Sequence, residues 1–275
     1  MKELTHSLPI VLVGAGNLAT HLGKALKQAG YTIVQVYSRT NESATQLAEL
    51  LQAEPVTEID GLTTEAGLYI VALKDAVLPE LIPSLLKGRE ESLWVHTAGS
   101  IPMNIWEEHG ADRYGVFYPM QTFSKQRDVC FSEIPLFVEA RCADDVCLLK
   151  EVAGELTNHV YEADSEQRRS LHLAAVFCSN FANHMYALSA GLLEKYNLPF
   201  SSMLSLIDET ARKVHQLDPR QAQTGPAVRN DVNVMEKHLQ MLADEPHLQS
   251  LYKALSESIH QMARSSSSEP ASRKS

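Results

Sequence analysis

Two glycines and an alanine, Gly14, Gly16 and Ala19, stand between an apolar run and a helix-forming run in the stretch VLVGAGNLATHLGKAL. G-x-G-x-x-A at a strand-to-helix turn is the arrangement that holding a diphosphate requires. Gly14 permits the tight turn, Gly16 lets the backbone approach the anion, and Ala19 keeps helix and strand close. The first backbone N–H groups of the helix, around Asn17 and Leu18, then face the negative charge. The alternative is a tight turn that holds no ligand. Gly23, one turn further on, extends the small-residue face.

The second apolar run, YTIVQVYS, leads into Ser38-Arg39-Thr40. Dinucleotide sites that take NAD place an acid here to bind the ribose hydroxyls, and here the acid is missing. Two hydroxyls and a guanidinium instead suit a 2'-phosphate, with Arg39 able to stack on adenine and pair with the phosphate, which favours NADP. The other reading is a solvated loop arginine with Glu42 turned back to the ribose.

Ligands of doubly wound sheets lie at the carboxyl ends of the strands, so the residues after LYIVAL and LWVHT belong to the same site. These are Ala72, Leu73, Lys74 and Asp75, then His96, Thr97, Ala98, Gly99 and Ser100. The small ones let a dinucleotide pass, while Lys74, Thr97 and Ser100 could contact phosphate, ribose or substrate. We place Ser100 on the substrate side. Each could instead cap a loop, and His96 reads as a satisfied strand-end polar group.

Two later stretches could act on what the turn holds. In RRSLHLAAVFCSNFANHMYALSAGLL, helical periodicity puts Leu173, Phe177, Phe181, Met185 and Leu188 on one face and Arg169, His172, Ser179, Asn180 and Asn183 opposite. Solvent exposure or a dimer contact would account for the polar stripe. So would closure over the nicotinamide end of a cofactor, with His172 as acid/base and Asn180 as a hydrogen-bonding positioner. In TGPAVRND, Thr224 and Gly225 precede Pro226, a favoured first-turn residue, and Arg229 would fall in the first helical turn. Thr224 and Arg229 could hold a substrate carboxylate, or the segment is a capped helix with an Arg229–Asp231 surface contact.

The elements that must position these groups alternate. Strands are expected at 9–14, 31–38, 68–73, 93–97, 114–119, 134–140 and 159–163, with helices at 17–29, 42–52 (capped by Asn41), 76–87, 103–109 and 143–158. This is an α/β pattern, a doubly wound, mostly parallel sheet. After Ala163 only helical periodicity remains, at about 165–196, 201–217, 226–243 and 245–264. The expected organisation is a nucleotide-binding domain over 1–163, an all-helical substrate and dimerisation domain over 164–264, and a disordered tail over 265–275, SSSSEPASRKS.

Composition removes other classes. A net charge of -10 without a concentrated basic stripe argues against nucleic acid. No stretch approaches the roughly 20 apolar residues of a membrane span, and no signal-peptide core precedes the first strand, so a cytoplasmic location is expected. Cys130, Cys142, Cys147 and Cys178 have neither zinc nor C-x-x-C spacing, so reduced thiols and no metal are expected.

The motifs GAGNLATHLGKAL, VYSRT, VHTAGS, VFYPMQTF, SLHLAAVFCSNF and TGPAVRNDV, in this order over residues 9–241, resemble Rossmann-like proteins with a C-terminal helical domain, the domain-of-unknown-function family 2520. The resemblance implies an NADP-binding oxidoreductase, dimeric through its helical domain. More distantly the architecture is similar to pyrroline-5-carboxylate reductase, ketopantoate reductase and the β-hydroxyacid dehydrogenases. The last of these carry a catalytic lysine four residues before an asparagine. If Asn180 matches that asparagine, Val176 stands at the lysine position and cannot transfer a proton. That mechanism is therefore not carried over, and His172 is the candidate replacement.

The expected function is NADP(H)-dependent hydride transfer to or from a small polar carbonyl or imine in the interdomain cleft, by a homodimer. The alternative is a non-catalytic NADP(H)-binding sensor or interaction protein.

Overall fold

A computed structural model of the chain describes residues 8–268. Eight short strands form one sheet: β1 (Ile10–Val13), β2 (Ile33–Tyr37), β3 (Glu54–Val56), β4 (Leu68–Val71), β5 (Leu93–His96), β6 (Arg113–Pro119), β7 (Leu136–Ala140) and β8 (Val160–Glu162). Their spatial order is 3-2-1-4-5-6-7-8, and every neighbouring pair is parallel except β6 with β7. The sequence pattern misses β3, a three-residue strand with Pro55 at its centre. Proline is tolerated there because β3 is an edge strand, where a missing ladder donor costs little.

Helices α1 (Asn17–Gln28), α2 (Asn41–Leu51), α3 (Leu78–Leu86) and α4 (Ala143–Leu156) join the strands. The helix expected at 103–109 is instead two 3-10 turns, Met103–Ile105 and Glu107–His109, and Asn41 is the first residue of α2, with Thr40 in the capping position. Side chains alternate across the sheet, so Ile10, Leu12, Leu68, Ile70, Leu93 and Val95 face one core with α1, α2 and α4. Val11, Val13, Tyr69, Val71 and Trp94 face the other with α3 and Trp106. Burial on both faces explains why these strands are apolar runs rather than alternating ones.

Helix α5 (Ser165–Ala175) starts at a capping box. Asp164 accepts from the backbone N–H of Glu166 and Gln167, and the Gln167 side chain accepts from the Asp164 N–H. It runs through a π-helical segment, Val176–Phe181, into α6 (Ala182–Glu194). The chain divides into two compact units, 1–185 and 186–275. The division falls inside α6 and later than Ala163, so His172 and Asn180 belong to the first unit.

The second unit is helical: the end of α6, then α7 (Leu204–Lys213), α8 (Pro219–Ala222), α9 (Val232–Met241) and α10 (Pro246–Ser268). Two expectations are corrected here. Helix α9 begins at Val232, not Pro226, because Asn230 takes a left-handed conformation (φ 53°) and Asp231 caps the helix by accepting from Val234 N–H at 3.3 Å. Arg229 thus lies in the preceding turn rather than in a helical first turn. Helix α10 also continues through Ser268, so 265–268 are helical where disorder was expected; 269–275 lie outside the described residues. Among the described residues no helix is long and apolar enough to cross a membrane, and no group of three or more His, Cys, Asp or Glu is placed to hold a metal.

Candidate functional site: a glycine turn and a tyrosine–histidine pair

Gly14 has φ +122°, a conformation open to glycine, and a Cβ there would lie 2.4 Å from the Ala72 carbonyl oxygen. The turn is held from both sides, by Gly14 N–H to Tyr37 O at 2.8 Å and by Ala72 N–H to Val13 O at 2.8 Å. At Gly16, by contrast, nothing lies within 4 Å of a Cβ position, and Gly16 caps α1 without any side-chain hydrogen bond. The first-turn N–H groups are therefore left for something other than a capping side chain, beside a backbone with open space in front of it. That cradle fits a diphosphate. Ala19 is fully buried, and a Cβ on Gly23 would strike Leu51 and Leu12, so the helix packs closely on β1 and α2.

The strand order 3-2-1-4-5-6 over β3 to β6 sets the rest of the geometry. It reverses between β1 and β4, and a dinucleotide lying across that switch point puts its adenosine half over β2 and its other half over β4 to β6. Ser38, Arg39 and Thr40 follow β2 directly; Arg39 is exposed and has no hydrogen-bond or ion-pair partner among the described residues. Ala72 and Leu73 follow β4, half-buried, and Lys74 is exposed.

Several expected contacts are already committed within the protein. The Asn17 side chain donates to Phe123 O at 3.0 Å, tying the segment after β6 to α1, and Leu18 packs against the core. Thr97 is buried, with its hydroxyl 3.4 Å from Val71 O. Ser100 gives its hydroxyl to the Asp75 carboxylate. Gly99 is buried, and its missing side chain serves a neighbour: a Cβ there would lie 2.6 Å from Nδ1 of His172.

His172 lies between Gly99, after β5, and Tyr118 of β6. It is half-buried on α5, its Nδ1 is 3.2 Å from the Tyr118 hydroxyl, and the rings meet edge to face with centroids 6.3 Å apart. Tyr118 is the second-last residue of β6, at the carboxyl end of the sheet, and only 8% exposed. Burial pushes its phenol above the ordinary tyrosine range, with the Arg168 charge pulling down and Asp75 pushing up.

Asn180 is not brought to this pair. It is exposed within the π-helical segment, and its side chain has no hydrogen bond among the described residues. The apolar face of the helix is also placed unexpectedly: Leu173 (60% exposed), Phe177 (63%) and Phe181 (48%) point outward, while His172, Ala175, Val176 and Ser179 are half-buried. Thr224 and Arg229, in the second unit, are both exposed.

Sequence reasoning missed Arg168, Glu139 and Tyr118. Arg168, not Arg169, turns inward, is fully buried, and pairs with Glu139. It donates to Ala98 O at 3.3 Å and to Ile101 O, while Ser165 bonds both Glu139 and Met103 N–H. This network fastens the loop after β5 to the start of α5. Position 168 is one helical turn before His172, a spacing that would have revealed the shared face. Tyr118 lies at the carboxyl end of a strand, as Ala72 and His96 do, and the same strand-end rule reaches it.

His96 is fully buried and reads as a structural group. Its Nδ1 accepts from Ala98 N–H at 3.2 Å, so the ring proton sits on Nε2, which has no partner among the described residues. Burial above all, then the Arg168 charge, holds its pKa down at about 3, against the nearby Pro102 carbonyl.

A profile of the Rossmann-like domain matches residues 4–111, and a profile of the domain of unknown function DUF2520 matches residues 134–259. No curated protein matches the chain in sequence. Among solved structures, a "putative NADP oxidoreductase" from Bacteroides fragilis is 62% identical over 94% of this chain and 99% of its own, with a TM-score of 0.89. A protein from Thermotoga maritima is 22% identical over 94% and 99% of the two chains, TM-score 0.71. An imine reductase from Myxococcus stipitatus, in complex with NADP+, is 17% identical over 94% of each, TM-score 0.64. The last two show likeness of fold alone.

Proposed function

We infer that this chain, which belongs to the family joining a Rossmann-like domain to DUF2520, is an NADP(H)-dependent oxidoreductase acting on a small polar carbonyl or imine compound. The observation that carries the reading is the uncapped α1 N-terminus behind Gly14 and Gly16, next to a strand end that offers Arg39 and two hydroxyls where an acid would select NAD. The description of the 62% identical Bacteroides fragilis protein supports the same cofactor.

The protein's own part follows from its residues. Gly14 and Gly16 bring backbone N–H groups to the diphosphate. Ser38, Arg39 and Thr40 hold the 2'-phosphate, Arg39 by charge-assisted hydrogen bonds. Ala72 and Leu73 leave room for the chain of the dinucleotide to pass. Bound NADPH supplies a hydride to an electrophilic carbon. His172 stores the accompanying proton at Nδ1, held in place by Gly99 on one side and Tyr118 on the other. The outward apolar stripe Leu173, Phe177 and Phe181 supports a homodimer formed through this helix.

A non-catalytic NADP(H) sensor draws on Val176 at the position where β-hydroxyacid dehydrogenases carry lysine, and on Asn180, whose side chain is exposed and without a hydrogen bond among the described residues. One experiment separates the parts. Fluorescence titration is expected to show NADPH binding about 10- to 100-fold tighter than NADH, with the preference lost in Arg39→Ala, since a charged hydrogen bond contributes about 1.5–3 kcal/mol. NADPH oxidation is then screened against keto acids, aldehydes and cyclic imines. Turnover of any of them rejects the sensor, and equal affinities reject the NADP assignment.

A further inference from the structure

Resting on the reading of this site as an NADP(H)-dependent reductase, we propose that Tyr118 is the group that hands the proton to the substrate, with His172 as its proton store. Each reduced C=O or C=N bond takes up one proton on its heteroatom for the hydride added to carbon. Among the polar side chains over this half of the sheet, most are engaged elsewhere or exposed. Ser100 is bonded to Asp75, Thr97 to Val71, and Lys74 and Asn180 are exposed. Tyr118 is buried at the carboxyl end of β6, and the partner of its hydroxyl is His172 Nδ1 at 3.2 Å.

That hydrogen bond has two directions, and they make the pair a relay. With neutral His172, Nδ1 accepts from the phenol O–H. With charged His172, Nδ1–H donates to the phenol oxygen and leaves the Tyr118 O–H free to point at a substrate. In the second state the phenol proton moves to the substrate oxygen or nitrogen and the Nδ1 proton moves to the phenol oxygen, leaving a neutral imidazole with its proton on Nε2; Nδ1 then takes a proton from water once the phenol O–H has turned away from it. The net change is one proton drawn from solvent and delivered to the substrate, with Tyr118 and His172 restored. His172 is partly exposed where Tyr118 is buried, so the histidine is the member of the pair that exchanges its proton with water.

A purely structural role for the bond, fastening α5 to β6, is already filled by stronger contacts. Arg168 and Ser165 both tie α5 to Glu139 on β7, and Arg168 also holds the carbonyls of Ala98 and Ile101. A phenol held in its protonated form by burial is also the right state for a donor.

The test uses the full chain with NADP+ and with NADPH. If Tyr118 faces the nicotinamide, the positive ring of NADP+ should lower the midpoint of one tyrosine, followed by phenolate absorbance, by about one pH unit or more relative to the NADPH complex. That absorbance change should be absent from Tyr118→Phe, which should bind both nucleotides with affinities within about twofold of the parent. A tyrosine midpoint identical in the two complexes, or a shift that survives in Tyr118→Phe, overturns the proposal. Failure of either nucleotide to bind overturns the cofactor reading instead, and this proposal with it. With a substrate from the screen, Tyr118→Phe should lose about 10²- to 10⁴-fold in turnover. His172→Ala should be partly rescued by added imidazole, which a merely structural histidine would not show.

Discussion

Gly99 and His172 are in contact at a distance that leaves no room for a side chain, since a methyl group on Gly99 would lie 2.6 Å from Nδ1 and 2.9 Å from Cβ of the histidine. The loop after β5 therefore sets where the imidazole sits, and through it the hydrogen bond to Tyr118. Gly99→Ala is expected to push the ring away. Turnover should fall by about 10²-fold, the scale of a misplacement near 1 Å, while overpacking costs about 1–3 kcal/mol of stability. Nitrogen-15 spectra check the cause directly, because His172 Nδ1 should lose its hydrogen-bonded character; an unchanged signal would contradict the account.

Arg168 is completely buried and Glu139 nearly so, and breaking such a pair leaves an uncompensated charge. Arg168→Ala is expected to lower unfolding free energy by about 3–5 kcal/mol in urea titration. Removing both charges, as Arg168→Met with Glu139→Gln, should cost clearly less. If the double variant is as unstable as the single one, the carbonyls of Ala98 and Ile101, rather than the ion pair, dominate the role of Arg168.

His96 has its pKa depressed in the folded chain to about 3, against about 6.5 when unfolded. Between those values the unfolded state binds the extra proton, so stability falls as pH falls from about 6.5 toward about 3, by up to about 1.4 kcal/mol per pH unit. Above about 6.5 His96 contributes no pH dependence. His96→Gln should flatten this part of the stability profile in denaturant titrations at pH 4 to 7, whatever its effect on absolute stability. A slope identical to that of the parent would refute the assignment.

The stripe Leu173, Phe177 and Phe181 is expected to be covered by a second copy of the chain in solution. Sedimentation at micromolar concentration should return a dimer. Phe177→Asp should shift it toward monomer, since a charge placed in an apolar interface is left without a partner. A parent protein that sediments as a clean monomer would exclude this assembly.

Local chemistry made much of the nucleotide half legible. A strand, two glycines and a helix in immediate succession can only turn tightly, and the constraint at Gly14 involves Ala72, a residue at the end of the adjacent strand that the same rule already selects. Apolar, β-rich runs gave away seven of the eight strands, the largely exposed β8 among them, and the remaining strand was hidden by its length and by Pro55.

The other half was decided only by packing between distant segments. Helical periodicity tells which residues of 165–185 share a face, but not which face meets the sheet. The capping box at Asp164 and the buried Arg168–Glu139 pair choose it, turning His172 inward and Phe177 outward. The π-helical turn at 176–181 then changes the angular step per residue, so a wheel drawn at a uniform 100° misplaces Asn180. The pairing of Tyr118 with His172 joins residues 54 positions apart. It depends on the height of β6 in the sheet and on the depth to which Gly99 admits the imidazole, and a one-dimensional pattern carries neither of these distances.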